Sequence, residues 1–213
     1  MEYFRRYLCS VGDSYFYNHT STTEIYALSL HDALPIYSQL AVKSQLNTAY
    51  AAYKDLRYEE AIVSLDRFVE LHPGNEDVPY ALYLKALCYY EQISDVRRDQ
   101  EMTLMSLNAF DSLIKRFPEN DYARDAQLKR DLTMDHLAGK EMEVGRYYLT
   151  RGKVNAGINR FLVVVRQFDT TTHVPEALHR LVESYLILGI EAQALRIAAV
   201  LGHNYPEIGR AHV

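Results

Sequence analysis

Apolar, small and polar positions recur in the same order four times along this chain of 213 residues. In each copy, small and aromatic residues recur among polar ones at the three- and four-residue spacing of an amphipathic helix. A short turn then leads to a second run of the same kind. The copies end near Pro73, Pro118, Asp169 and Pro206. Because proline does not continue a helix, the pattern predicts four consecutive helix pairs.

The first copy predicts one helix over residues 39–54 and a second over residues 58–71. The small residues Ala49 and Ala61 allow these two helices to approach closely, and larger apolar residues fill the space around them. The sequence His72-Pro73-Gly74-Asn75 ends the pair, because proline stops a helix and glycine supports a reversal of the chain.

The second copy is longer than the others. Its first helix opens with Asp77 and Pro79, a combination typical of helix starts, and extends to about Gln92. A polar and charge-rich insertion over residues 94–101 then precedes the second helix. We predict that this insertion is a solvated linker, and the alternative is an adaptable contact surface.

The third copy begins with an unusually long helical pattern, from Tyr122 to about Arg151, that no proline interrupts. It is weakened only near Gly139, and Asn120 is a suitable cap at its start. We interpret the pattern as an extra helix that is fused to the first helix of the third pair, or sharply followed by it.

The spacing of small and aromatic residues in the third copy is that of a tetratricopeptide (TPR) unit. The residues at these positions are Gly145, Tyr148, Gly152, Gly157 and Phe161. Such a unit cannot bury its apolar face alone, so neighbouring copies have to stack. The sequence therefore predicts an all-α fold, a right-handed TPR-like superhelix of about four pairs over residues 37–206. Solenoids of this type mostly bind other proteins.

Composition excludes several classes of protein. A net charge of −5 gives no basic surface for nucleic acid. No phosphate-binding loop, HExxH motif or CxxC motif is present, so we expect no enzyme activity, no catalytic residues, no cofactor and no metal. The two cysteines, Cys9 and Cys88, lie far apart in unrelated contexts and indicate neither a disulfide framework nor a metal site.

Tyrosine is abundant, with 18 residues and no tryptophan, and its apolar ring and polar tip suit protein interfaces. In a TPR stack the first helix of each pair lines a groove that can accept an extended peptide. The candidate groove residues are Tyr50, Tyr53, Tyr83, Leu87 and Tyr90. The alternative is that several of them belong to the core between repeats.

Four segments of the chain resemble one family, the BamD (ComL-type) TPR lipoproteins of the β-barrel assembly machinery. They are residues 83–92, 137–152, 173–183 and 198–206, and the resemblance extends over about residues 40–206. It implies a scaffold without enzyme activity at the periplasmic face of the outer membrane of a Gram-negative bacterium. The implied partners are the barrel-forming assembly factor, the other lipoproteins of the BAM complex and unfolded outer-membrane proteins.

The resemblance also implies which residues dock the periplasmic domain of the assembly factor. The family's Tyr-Tyr-x-x-Arg-Gly and Asn-Arg sequences correspond here to Tyr147, Tyr148, Arg151, Asn159 and Arg160. An arginine suits bidentate pairing with a carboxylate of a partner. Arg151 could instead bind the carbonyl groups at the end of its own helix, an explanation that does not apply to Arg160.

The two ends of the chain depart from the family. Residues 24–36 resemble an in-frame translation of a short-read sequencing adapter, and residues 207–213 resemble the start of the opposite adapter. We therefore predict a disordered, non-native leader over residues 1–36, a non-native tail over residues 207–213 and a native N-terminus that is truncated. The signal peptide, the lipid anchor and the family's first repeat are then missing, and Cys9 is incidental rather than lipidated.

Two other functions are compatible with the sequence. One is a generic TPR adaptor in the periplasm or the cytoplasm, which would share the fold and lack these partners. The other is an enzyme built on a TPR-like scaffold, which would need a set of catalytic residues in one pocket.

Overall fold

The computed structural model describes residues 39–96 and 99–206. These residues contain eight α-helices and no strand, which confirms the all-α prediction. The helices are α1 (39–54), α2 (Tyr58–Leu71), α3 (Val78–Tyr90), α4 (Glu101–Arg116), α5 (Asp121–Thr150), α6 (Val154–Gln167), α7 (Val174–Ile187) and α8 (Glu191–Asn204).

The chain divides into two compact units, residues 1–47 and residues 48–213. In the described part of the first unit, residues 39–47 are helical and Leu46 is buried. The second unit begins inside α1 and contains all of the helices that follow. The predicted leader over residues 1–36 and the predicted tail over residues 207–213 lie outside the described residues, as do Arg97 and Arg98 of the insertion.

The helices of the second unit pack in chain order. Each helix from α2 to α8 contacts the next one, and α3 also contacts α5. A contact between the first helices of neighbouring pairs is what the stacking of TPR-like units requires. Local signals lie at the helix starts, at Asn120 and Pro79 as predicted and also at Pro175. The Asn120 side chain accepts a hydrogen bond from the Tyr122 amide at 3.0 Å, while Pro79 and Pro175 lie in the first turns of α3 and α7.

Helix α5 is one continuous helix of 30 residues, about 45 Å long at the standard rise per residue. Of the two interpretations of the long helical pattern, the structure shows the one in which the extra helix is fused to the first helix of the third pair. Gly139 lies buried inside the helix and does not end it. Its first half contributes Ala126 to a core with Phe110 and Leu113 of α4. Its second half contributes Met142 to a core with residues of α6 and α7. One helix therefore joins the second pair to the third.

Helices α5 and α6 approach each other at two glycines. A Cβ atom at Gly145 would lie 2.5 Å from the ring of Phe161, which is fully buried. A Cβ atom at Gly157 would lie 3.1 Å from the side chain of Leu149. Gly152 has φ +70° in the turn between the two helices, a conformation that glycine adopts without strain. These glycines fix the hairpin on which the second candidate surface lies.

Candidate functional site

The first candidate surface is a row of tyrosines on α1, α3 and the start of α5. We call it the tyrosine face, and it consists of Tyr50, Tyr53, Tyr80, Tyr83 and Tyr122. The ring of Tyr122 lies 5.3 Å from that of Tyr80 and 5.4 Å from that of Tyr83. The rings of Tyr50 and Tyr53 are 6.4 Å apart. These centroid distances are in the range of attractive aromatic pairs.

Burial raises the pKa of three phenol groups of this face. Burial first, and then the hydrogen bond that the Tyr83 hydroxyl donates to Asp125, raise the pKa of Tyr83 above its ordinary value. Burial is also the main cause of the raised pKa values of Tyr53 and Tyr80. Tyr53 and Tyr80 therefore present apolar rings and neutral hydroxyl donors, which suits a peptide with aromatic side chains and carbonyl groups.

Two lysines lie beside the aromatic rings. Lys54 Nζ is 5.3 Å from the centroid of the Tyr50 ring and 5.7 Å from that of Tyr53. Lys129 Nζ is 5.3 Å from the Tyr90 ring and 4.0 Å from the Asp125 carboxylate. At these distances each ammonium group is attracted by the face of a ring. The tyrosine face therefore has one cation beside Tyr50 and Tyr53, and a second cation lies next to it, over Tyr90.

The five residues predicted for the groove divide into two groups. Tyr50, Tyr53 and Tyr83 belong to the tyrosine face, and 40% of Tyr50 is exposed. Leu87 and Tyr90 are half-buried against the core that contains Phe110, and Tyr83 packs on the same core as well as on Tyr122. The alternative prediction placed several of the five residues in the core between repeats. Tyr80 and Tyr122 belong to the tyrosine face but not to the predicted set. The three-residue spacing of Tyr80 and Tyr83 on one helix is the signal that could have identified Tyr80.

The second candidate surface lies at the end of α5 and on α6. We call it the docking patch, and it consists of Tyr147, Tyr148, Arg151, Asn159 and Arg160. Tyr147 is 56% exposed, and its ring centroid is 5.9 Å from that of Tyr148. The guanidinium carbon of Arg151 lies 5.4 Å from the Tyr147 ring. Exposed aromatic and arginine side chains are the types that contribute most to protein interfaces.

The two arginines of the docking patch have different surroundings. Arg160 Nη1 donates to both carboxylate oxygens of Glu141, at 3.0 and 3.3 Å. This pair joins α6 to α5, so the arginine predicted to be available to a partner already has a carboxylate within the chain. Arg151 has no ion pair with any described residue and rests on Tyr147.

A network of ion pairs lies where α5 meets α7. We call it the charged face, and it consists of Glu143, Arg146, Glu176, Arg180 and Glu183. Arg146 Nη1 donates to both oxygens of Glu176, at 2.9 and 3.0 Å. Burial lowers the pKa of Arg146, but its hydrogen bonds and charge interactions with Glu176 and Glu143 outweigh burial and raise it. Arg146 therefore stays charged well above neutral pH.

The described residues hold no group of three or more histidine, cysteine or acidic side chains that could bind a metal ion. Cys88 is fully buried, and burial raises the pKa of its thiol to about 11, which makes it a poor nucleophile at neutral pH. Among the helices of the described residues, none has the length and apolar character needed to span a bilayer.

Comparison with known proteins agrees with the resemblance. The pattern of the YfiO family, described as "Outer membrane lipoprotein", matches residues 19–200. A protein of Caulobacter vibrioides called outer membrane protein assembly factor BamD is 51% identical over 80% of this chain and 56% of its own length. The proteins of the same name from Rickettsia prowazekii and Neisseria meningitidis serogroup A are 48% and 34% identical, over 79% and 89% of this chain and 67% and 74% of their lengths.

The chain thus spans little more than half the length of the Caulobacter relative. The match nevertheless includes every helix from α1 to α7 and most of α8. Both candidate surfaces lie within it. The fold, the matched residues and the similarity to three assembly factors lead to one assignment: the chain belongs to the YfiO family of outer membrane lipoproteins.

Proposed function

We propose that this chain is a scaffold of the β-barrel assembly machinery and that it works without catalysing a reaction. It acts at the periplasmic face of the outer membrane, where it binds the periplasmic domain of the barrel-forming assembly factor and unfolded outer-membrane proteins. Family membership supports this role, as do the names of the relatives, which are assembly factors for outer membrane proteins. A lipid anchor on the native protein would hold it at the membrane.

The observation that carries the proposal is the docking patch itself. Its aromatic and arginine side chains are exposed or half-buried. The core of the hairpin is filled by other residues, among them the fully buried Phe161 and Met142. Tyr147 and Arg151 therefore do not stabilise the interior of the hairpin. An exposed aromatic–arginine pair on a rigid helical hairpin is suited to an acidic and aromatic partner surface.

The tyrosine face supports the second half of the proposal. Its rings span α1, α3 and α5, so an extended peptide could contact several of them in succession. Aromatic side chains alternate along the strands of outer-membrane barrels, and such strands present rings that can pack on this face. We propose the carboxyl-terminal strand of an outer-membrane protein as the ligand.

Titration of the full chain with the periplasmic domain of the assembly factor tests the proposal. Arg160→Ala should weaken binding by about 1.5–3 kcal/mol, since a hydrogen bond to a charged group is lost. Arg166→Ala is the control, because Arg166 is exposed on the same helix and forms no ion pair with a described residue.

Two results would contradict the docking role. Binding of Arg160→Ala at the parental affinity would remove Arg160 from the docking patch while leaving the rest of the proposal in place. A parent chain that binds neither the periplasmic domain nor carboxyl-terminal peptides would favour the generic TPR adaptor.

A further inference from the structure

The ion pair between Glu141 and Arg160 leaves one edge of the arginine open. Only Nη1 of the guanidinium contacts Glu141, through two hydrogen bonds. Nε and Nη2 form no hydrogen bond with any described residue. These two nitrogens form the side-on edge of the fork, the edge that receives a carboxylate through two parallel hydrogen bonds.

The two side chains of the ion pair also differ in burial, and Arg160 is the more exposed of the two. The Glu141 side chain is 22% exposed and the Arg160 side chain is 43% exposed. Glu141 extends from α5, next to the fully buried Met142, so its backbone is held by the core of the hairpin. Arg160 extends from α6, next to the fully buried Phe161. The acidic partner is therefore the inner, fixed member of the pair, and the arginine is the outer one.

Two roles for Glu141 are conceivable, and they predict opposite effects on binding. As a competitor it would occupy the arginine and weaken the binding of a partner carboxylate. As a positioning residue it would hold the guanidinium in one orientation before the partner arrives. The open Nε–Nη2 edge favours positioning, because an incoming carboxylate can bind without displacing Glu141.

We infer that Glu141 is a positioning residue of the docking patch, which orients Arg160 so that its side-on edge faces a carboxylate of the partner. The inference rests on the proposed function. Ordering a long side chain on binding costs free energy, and a side chain that is already ordered avoids most of that cost. Glu141 contributes to affinity only through Arg160, and it does not contact the partner.

A double-mutant cycle on the full chain tests the inference, with the periplasmic domain of the assembly factor as ligand. Glu141→Ala alone should raise the dissociation constant roughly 2- to 10-fold, the cost of ordering one long side chain. In an Arg160→Ala background the same change should have no further effect. Glu141→Gln, which keeps an acceptor for Nη1, should recover part of the loss. Glu143→Ala is the control, because Glu143 contacts Arg146 and lies outside the patch.

The cycle separates the inference from the proposed function. Tighter binding of Glu141→Ala would identify a competitor, and an unchanged affinity would leave Glu141 with a structural role only. Either result overturns the inference, and so does a loss of affinity that persists when Arg160 is absent. A parent chain that does not bind the domain overturns the proposed function together with the inference. The thermal midpoint of each variant shows that it is folded.

Discussion

The tyrosine face and the charged face occupy equivalent places in the repeat but are built from different chemistry. Each lies where the first helices of neighbouring pairs meet, at α3 and α5 in one case and at α5 and α7 in the other. Tyr122 joins the first two helices through ring contacts with Tyr80 and Tyr83. Arg146 joins the last two through its ion pair with Glu176.

The difference shows how one scaffold can serve two kinds of ligand. The aromatic contacts between repeats leave the rings of Tyr50 and Tyr122 exposed, and we propose that this face binds a peptide with little sequence preference. The charged side chains between these repeats pair with one another, so few hydrogen-bonding groups of the charged face remain for a ligand. We propose that the functional residues of that half lie instead on the docking patch, at the far end of α5 and on α6.

The largest effect that we expect concerns the packing of α5 against α6, the two helices that carry the docking patch. Gly145→Ala should lower the free energy of unfolding by about 1–3 kcal/mol, because the added methyl group overlaps the buried ring of Phe161. Gly202→Ala is the control, since that helical glycine has open space around it and alanine should stabilise the helix by up to about 1 kcal/mol. Urea denaturation measures both. A Gly145→Ala variant as stable as the parent would show that α5 and α6 are less closely packed.

An effect of intermediate size concerns the tyrosine face, whose contribution to the free energy of unfolding should depend on pH. Because the pKa of Tyr83 is raised in the folded chain, its contribution to stability is complete below about pH 10, the value of a free tyrosine, and declines at higher pH. Tyr83→Phe should cost about 0.5–1.5 kcal/mol at neutral pH through loss of the hydrogen bond to Asp125. It should also reduce the loss of stability above pH 10. Denaturation at a series of pH values from 7 to 11 measures the free energy of unfolding of both proteins. If it falls equally steeply above pH 10 in the parent and in Tyr83→Phe, the raised pKa of Tyr83 does not affect stability.

The smallest effect concerns the charged face, whose contribution to the free energy of unfolding should depend on the salt concentration. Arg146→Met should cost about 0.2–1 kcal/mol at low ionic strength, because the pair with Glu176 is more than one-third exposed. The cost should nearly vanish at about 1 M salt, where screening is strong. Arg124→Met, at an exposed position of the same helix with no ion pair to a described residue, should be insensitive to salt. A cost for Arg146→Met that is equal at both salt concentrations would indicate a packing role for its side chain.

The sequence predicted the elements well where local chemistry determines them. The predicted first pair ends its first helix at residue 54 and has its second helix over residues 58–71, as the structure shows. Whether α5 was one helix or two could not be decided, because the roughly 1 kcal/mol cost of a helical glycine is offset by burial that depends on distant residues. Gly139 is covered by His173 and Val96, neither of which lies near it in the chain.

The candidate site was predictable in its residue types and less so in its contacts. Tyr122 was missed because its partner Tyr83 lies on another repeat. The Glu141–Arg160 pair depends on the geometry of the α5–α6 hairpin, since its members are 19 residues apart. No periodicity within one helix indicates such a pair, so the sequence predicted a partner carboxylate for Arg160 and gave no sign of Glu141. Contacts within one helix can be derived from spacing, and contacts between helices need the fold.

The most direct test of the account compares two variants against two ligands. Tyr50→Ala alters the tyrosine face and Arg160→Ala alters the docking patch, and each is titrated calorimetrically with a carboxyl-terminal outer-membrane peptide and with the periplasmic domain of the assembly factor. We predict that Tyr50→Ala weakens only peptide binding, by about 0.5–1.5 kcal/mol for a lost aromatic contact. Arg160→Ala should weaken only binding of the domain. If each variant weakens both ligands equally, the two surfaces are not separate sites and the account is contradicted.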